Sequence, residues 1–582
     1  MPNCEQVVTQ QIAASIQTQQ RTWVAERVAS YQTRYAAACA APGALSDRLD
    51  LSYQLGYHHY TLYYYDRGGN LMKTVPPAGV RLLNLTADNV PDYPAHQLVT
   101  NYKYNSLGQL VEQTSPDGGT TNFYYNRKGQ LRYSLNDKQR QEGKYSYTAY
   151  DALGRVVQVG ESTFDYSPAL TNPLANIETL DVPPTGNTQI TTTVYNTPVS
   201  GLVYPNGGVQ RYLNNRVSYS TSGDGVRTAY SYDPHGNVEW LAQDVPGLGQ
   251  KFMRYEYDLI SNKVLKVAYQ EKQVDQFFHR YKYDDDNRLL AVETSADGAV
   301  WEQDAEYQYY PHGPLKRTVL GDDRVQALDY AYTLQGWLKA VNRPDLDVTA
   351  AVTQAAGQDG VSNGVAHDAF GMALGYYRGD YARTGTYLDG AAATPAAILR
   401  EPTPGTPGTP GTPGEELFNG NIATWSSRTL ENVAANPSQT SPAVAETYRY
   451  DQLNRLLTSQ HSTFGTSWSA ISDDSPFATR YVYDANGNLQ TLKRNTGTAG
   501  QVMDQLTYNY AATADNKPSN RLLSVSDAVG NGVSGEDVDS QAANNYTYDG
   551  VGNLTSDAQA GVTNIKWTPY GKIASINGDA TV

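Results

Sequence analysis

Apolar and polar positions follow two different periods along this chain. Between residues 5 and 38, Val8, Ile12, Ile16, Val24, Val28, Tyr31 and Tyr35 recur at three- and four-residue spacing, which predicts one amphipathic helix with an apolar stripe available to pack on a neighbouring sheet. After Pro42 the period falls to two and stays there for most of the chain, as expected of strands whose side chains alternate between faces.

The alternation is punctuated by one recurring phrase. It reads YDRGGNL (Tyr65, Asp66, Gly69), YNSLGQL (Tyr104, Gly108), YNRKGQL (Tyr125, Gly129), YDALGRV (Tyr150, Asp151, Gly154) and YDPHGNV (Tyr232, Asp233, Gly236). It returns as YDDDNRLL (Tyr283, Asp284), YDQLNRLL (Tyr450, Asp451), YDANGNL (Tyr483, Asp484, Gly487) and YDGVGNL (Tyr548, Asp549, Gly552). Weaker copies start at Tyr257, Tyr332 and Trp567. Neighbouring copies are separated by a stretch long enough for two strands and two turns, so the unit is a hairpin. Asp or Asn after the Tyr accepts backbone N–H bonds, the Gly or Asn three residues on takes positive φ, and the closing Leu or Val opens the next strand. Each phrase is therefore a hairpin corner. A second Tyr often stands two residues before the first, as at 255/257 and 481/483, which puts both rings on one face and predicts ladders of rings with the next strand.

The periodicity divides the chain into an N-terminal helix (1–45), a first run of repeats (46–343), an insert (344–445) and a second run (446–582). Inside the insert, EPTPGTPGTPGTPGEE (401–416) has little to bury and reads as an exposed flexible loop, whereas 367–381 and 418–425 read as strands rejoining the sheet. Deleting 403–414 is expected to leave thermal stability nearly unchanged, since loop length alters closure entropy by only about 0.6 kcal/mol per doubling. A large loss in a melting experiment would show that the segment is ordered.

Composition sharpens this picture. The 582 residues include 47 Tyr against 9 Phe, so much of the aromatic surface carries a hydroxyl that needs a partner or water. The net charge of −15 disfavours nucleic acid and anionic membrane surfaces as partners. No run is long and apolar enough to span a membrane as a helix, and the N-terminus lacks the pattern of a signal peptide. With only Cys4 and Cys39 there is neither a disulfide framework nor a zinc spacing.

Chemical motifs are sparse. Gly360-Val361-Ser362-Asn363-Gly364 matches a nucleophile elbow by letters, but its flanks supply neither the strand nor the helix that the elbow needs. Asp284, Asp285 and Asp286 lack the glycine and the distal glutamate of a calcium loop, and His58-His59 cannot point both rings to one face of a strand. Nothing shows two carboxylates converging. The expectation is a non-enzymatic protein with no cofactor and no metal site. A carbohydrate-binding or adhesive role for the Tyr-rich faces stands as the alternative.

The repeated Y-D-x-x-G-x-L phrase resembles the YD repeat of the Rhs family, which includes the C component of insecticidal ABC toxin complexes and is similar to the shell region of teneurins. The resemblance covers most of residues 50–582; residues 57–80, 370–381 and 418–425 look particularly like Rhs proteins of Bacteroidetes-type bacteria. It implies an all-β fold, with antiparallel hairpins spiralling into a hollow shell, and a secreted or cell-surface protein that encloses or carries a polypeptide such as a C-terminal toxin domain. It also implies a closing plug, often with an Asp-Pro-x-Gly cleavage motif, and a toxin beyond it. Here Asp233-Pro234-His235-Gly236 sits inside an ordinary repeat and reads as a turn, and this sequence has no toxin-sized stretch after its last repeat, YGKIASINGD, so the expectation is a shell segment without its cargo. The expected partners are therefore the cargo or missing plug segment, and a secretion-system or shell-completing protein that meets the exposed strand edges of an incomplete spiral.

Overall fold

The computed structural model describes residues 4–39, 60–81, 95–163, 187–200, 202, 204, 208–342, 364–366, 368–377, 379–381, 416–429, 442–463, 468–469, 471–512, 518–530, 532, 535–577 and 579–580. Most of the Thr-Pro-Gly run, Ser362 and His58-His59 lie outside them. The chain forms two units, 1–58 and 59–582.

The first unit carries helix α1 (Cys4–Cys39), 36 residues long, over the stretch where the apolar stripe predicts one helix. Within it, Val24, Val28, Tyr31 and Tyr35 are exposed.

The second unit is all-β. Twenty-eight strands, from Leu62–Tyr65 to Pro518–Asp527, form one sheet in which every strand pairs antiparallel with its successor in sequence. Among the described residues the two terminal strands do not pair with each other, so the sheet is not closed. A further hairpin, Tyr546–Tyr548 with Leu554–Asp557, and a three-stranded piece from Ile565 to Ala580 continue the same up-and-down path. The ladder runs through the predicted insert as well: Phe370–Gly375 pairs with Leu338–Val341 and with Thr424–Thr429.

A meander this long has two rims. One carries the repeated Tyr-Asp corners. The other, the plain rim, carries the remaining turns and a short helix, α2 (Asp137–Glu142). Asn136 and Gln139 close the N-terminus of α2 with a reciprocal capping box, and Gly143 ends it at φ 67°.

Burial on the sheet faces is lean and uses small residues. Ala331, Ala340, Ala373, Ser426, Ala445 and Ser462 are successive cross-strand partners and are all buried. Tyr381 lies against the alanines at the start of this row. Larger clusters form where chain folds back over a face: Leu202 and Tyr204 cover Trp240 and Phe252, with Tyr204 at 5.3 Å from each ring.

Candidate functional site

Every strong copy of the phrase folds alike. In YDRGGNL the Asp66 amide donates to the Asn70 carbonyl (2.9 Å) and the Gly69 amide to the Asp66 carbonyl (3.2 Å). One Asp66 carboxylate oxygen accepts the Asn70 amide and the other accepts the Asn70 side chain, each at 2.8 Å. These bonds from Asn70 hold the Asp66 carboxyl below its usual range. The register slips by one residue just before the phrase Tyr, as between Tyr64 and Tyr65 or Val482 and Tyr483, so each corner is a bulged three-residue turn. Gly at the fifth phrase position has φ between 73° and 101° (Gly69, Gly108, Gly129, Gly154, Gly236, Gly487, Gly552), and Asn287 and Asn454 take 62° and 61° in its place.

The sixth position matters as much as these, although the repeat drew no expectation for it. It holds Asn, Gln or Arg throughout, and its side chain bonds the second-position Asp or Asn: Asn105–Gln109, Asn126–Gln130, Asp151–Arg155, Asp233–Asn237, Asp284–Arg288, Asp451–Arg455, Asp484–Asn488 and Asp549–Asn553. The same side chains reach the next corner along the rim. Gln109 donates to the Gly129 carbonyl (3.1 Å), Gln130 to that of Gly154 (3.2 Å) and Arg455 to that of Asp484 (2.8 Å).

The tyrosines also link corner to corner, by their hydroxyls. Tyr125 donates to the carbonyl of Leu110, Tyr150 to Leu131, Tyr257 to Val238, Tyr283 to Val264 and Tyr510 to Leu489, at 2.8–3.0 Å. Each acceptor is the closing Leu or Val of the preceding phrase. First and last letters of the phrase are thus donor and acceptor in one chain of bonds running along the rim. Rings stack within a strand at Tyr255–Tyr257 (6.3 Å) and Tyr481–Tyr483 (6.5 Å), a ring pair joins neighbouring strands at Tyr133–Tyr145 (5.4 Å, edge to face), and the hydroxyls also reach the neighbouring strand.

Gly487 tests the corner. It has φ 95° and nothing lies within 4 Å of where a Cβ would stand, so substitution costs conformational energy alone. Gly487→Val is expected to lower stability by about 1–3 kcal/mol, with Gly487→Asn recovering much of it because Asn tolerates positive φ. Equal melting of all three proteins would overturn the turn assignment.

The two rims meet. The Ala78 amide, on the plain rim, donates to Asn486 Oδ1 in a corner 408 residues later (2.9 Å). Asn520 donates to Asp117 Oδ2 across 403 residues (2.9 Å), and the Arg521 guanidinium donates to the Asp117 carbonyl. Lys138 on α2 pairs with Asp549 at 3.1 Å. Gly550 passes so close to α2 that a Cβ there would sit 3.2 Å from the Lys138 nitrogen. Further along, the Tyr570 hydroxyl reaches Gln189 Oε1 at 3.5 Å. An offset near 400 residues therefore brings the corner rim of the later strands onto the plain rim of the first ones: the sheet winds back on itself, and this seam joins successive turns.

The remaining predicted chemistry stays dispersed. Asp284 is held by Arg288 (2.7 Å) and Asp286 is 74% exposed, giving a solvated turn. Among the described residues no three metal-ligating side chains converge, and no helix is long and apolar enough to cross a membrane.

No family model matches the chain. A 105-residue stretch is 32% identical to Salivary gland surface protein 1 of Aedes aegypti, covering 17% of this chain and 3% of that protein. Among solved structures, TcdB2-TccC3 aligns over 89% of this chain and 27% of its own, at 14% identity and a TM-score of 0.23. A Tc holotoxin pore of Photorhabdus luminescens aligns over 92% and 28% at 14% identity and a TM-score of 0.23. The chain thus spans about a quarter of the length of these structures and a small fraction of the curated relative, and identity and TM-score are too low to transfer a function.

Proposed function

We propose that this chain is a non-enzymatic wall-forming scaffold, one part of a secreted Rhs-type shell whose role is to enclose or carry a polypeptide. The seam carries the reading. A long meander whose successive turns are bonded rim to rim is a continuous wall, and the corner bonds and the seam stiffen it without a thick core. Support also comes from the sparse burial with small residues, which suits a curved single layer, and from the resemblance of the repeat itself. The cargo would be a polypeptide supplied by sequence or partners beyond this chain.

Small-angle scattering on the dilute protein tests this. A filled globule of this length has a radius of gyration of roughly 25 Å. The proposal expects a clearly larger value with a distance distribution weighted to the periphery. A value near that of the filled globule would overturn it and favour an outward-facing binding surface.

A further inference from the structure

Four polar side chains form one row across the second run of strands. Arg449 lies directly opposite Thr458, Thr458 opposite Arg480, and Arg480 opposite Lys493. Cross-strand partners share a face of the sheet, so three cations and a hydroxyl stand side by side. Like charges set opposite one another, as Arg480 and Lys493 are, weaken a sheet. In a chain with 44 basic against 59 acidic residues, such a row is not a by-product of surplus cations. The acidic groups nearby leave it largely unneutralised. Asp451 is bound to Arg455 at 2.6 Å, while Asp473 accepts from Gln460 at 2.9 Å and lies 3.6 Å from Arg480, where both side chains of the pair are mostly exposed. Arg449 Nε and Thr458 Oγ1 are buried and have no hydrogen-bond partner among the described residues, a cost that persists until something accepts from them.

The row borders a cavity. Strands Leu456–Thr463 and Thr479–Tyr483 pair at Thr458–Arg480 and Ser459–Thr479 and part beyond them. A cavity of about 390 Å3 is lined there by Arg449, Thr458 and Arg480, with Leu457 and Val482 as apolar wall and Asp473 also bordering it. Two strand spacings put the Arg449 and Arg480 backbones roughly 10 Å apart, so their long side chains can close on one group above Thr458.

We propose that this cavity binds a phosphate monoester. The two guanidinium groups donate to its oxygens with the Thr458 hydroxyl beneath, Lys493 adds charge from the next strand, and the organic substituent rests on Leu457 and Val482. The guanidinium fork matches phosphate geometry, and a phosphate monoester carries close to two negative charges at neutral pH. A carboxylate brings one charge and two oxygens to the same donors, and a neutral ligand leaves the like charges opposed.

Phenyl phosphate is the probe, titrated calorimetrically into the full chain at low salt. Saturable binding is expected, displaced by inorganic phosphate and weakened as salt rises. Benzoate is expected to bind at least about tenfold more weakly. Arg449→Gln with Arg480→Gln should lose at least about tenfold in affinity, while the unliganded protein melts at or above the parent because opposed like charges are gone. Arg449→Lys, which keeps the charge but not the fork, should also weaken binding, as should Lys493→Gln. Absence of saturable binding up to about 10 mM, a double variant that binds like the parent, or benzoate binding as tightly as phenyl phosphate would each overturn the proposal.

Discussion

Replacing Asp380 with alanine is expected to lower stability by about 3–5 kcal/mol, the largest effect of any single substitution considered for this protein. Lys339 projects from the strand Leu338–Val341 and is 2% exposed; its ammonium lies 3.0 and 3.1 Å from the two Asp380 carboxylate oxygens. One of those oxygens also accepts the Tyr376 amide at 2.8 Å, and the Tyr376 hydroxyl returns to the Leu338 carbonyl at 2.7 Å. The Trp337 and Tyr376 rings meet at 5.0 Å above this arrangement. Asp380 therefore fixes the chain leaving the strand Phe370–Gly375 to the strand beside it.

Removing the carboxylate takes the ion pair away from a lysine charge in a site with almost no access to water, where its desolvation is then less well offset. Removing both charges should behave differently. Lys339→Met with Asp380→Leu is expected to regain most of the loss, short of about 1–3 kcal/mol for the Tyr376 amide left without its acceptor. Urea unfolding followed by tryptophan fluorescence reads both, with Trp337 as the local reporter. A cost below about 1 kcal/mol for Asp380→Ala would show that water reaches the lysine.

The corners were legible because all their information is local. Tyr, Asp, Gly and Leu occur within seven residues, and each does in the fold what its chemistry allows: the Asp oxygens take the loop amides, the Gly takes positive φ, and the Leu starts a strand. The Asn, Gln or Arg at the sixth position was equally local and equally regular, and could have been found by asking what the second Asp oxygen binds. The hydroxyl bond from Tyr510 to Leu489 was harder, because strand length separates donor from acceptor and varies between repeats.

The seam was not legible at all. Contacts such as Ala78–Asn486 and Lys138–Asp549 join positions about 400 residues apart, and the phrase, which recurs all along the chain, does not single out that spacing. Their partnership depends on the curvature accumulated over more than twenty strands, each adding a small twist. Lys339 and Asp380 escaped for a related reason. Lys339 stands in the last strand of the first run and Asp380 in the insert beyond it, and a lysine in a period-two strand looks the same whether its face meets solvent or a returning segment.

Alkaline pH is expected to unfold the sheet cooperatively, while its arginines still carry their charge. Burial, followed by nearby negative charge, pushes the phenols of Tyr204, Tyr448 and Tyr510 up to about 12, with Glu271, Glu446 and Asp484 as the respective anionic neighbours. Burial likewise raises Tyr150, Tyr257, Tyr283 and Tyr548, whose hydroxyls donate along the corner rim. In the unfolded chain these phenols ionise near pH 10. Above that pH the unfolded state binds fewer protons than the folded one, so stability falls as pH rises. The contribution is fully present below about pH 10 and is lost on the way to about pH 12. Phenolate absorbance should therefore show a steep step that coincides with loss of the β signal in circular dichroism. Tyr510→Phe separates the bond from the titration. At pH 7 it should cost about 1 kcal/mol, for the hydroxyl bond to Leu489. Above about pH 11 it should become the more stable protein, since Phe has no proton to lose. A smooth titration centred near pH 10 with the sheet intact would mean that these hydroxyls are exposed to water and that the chain of bonds along the rim does not hold the corners together.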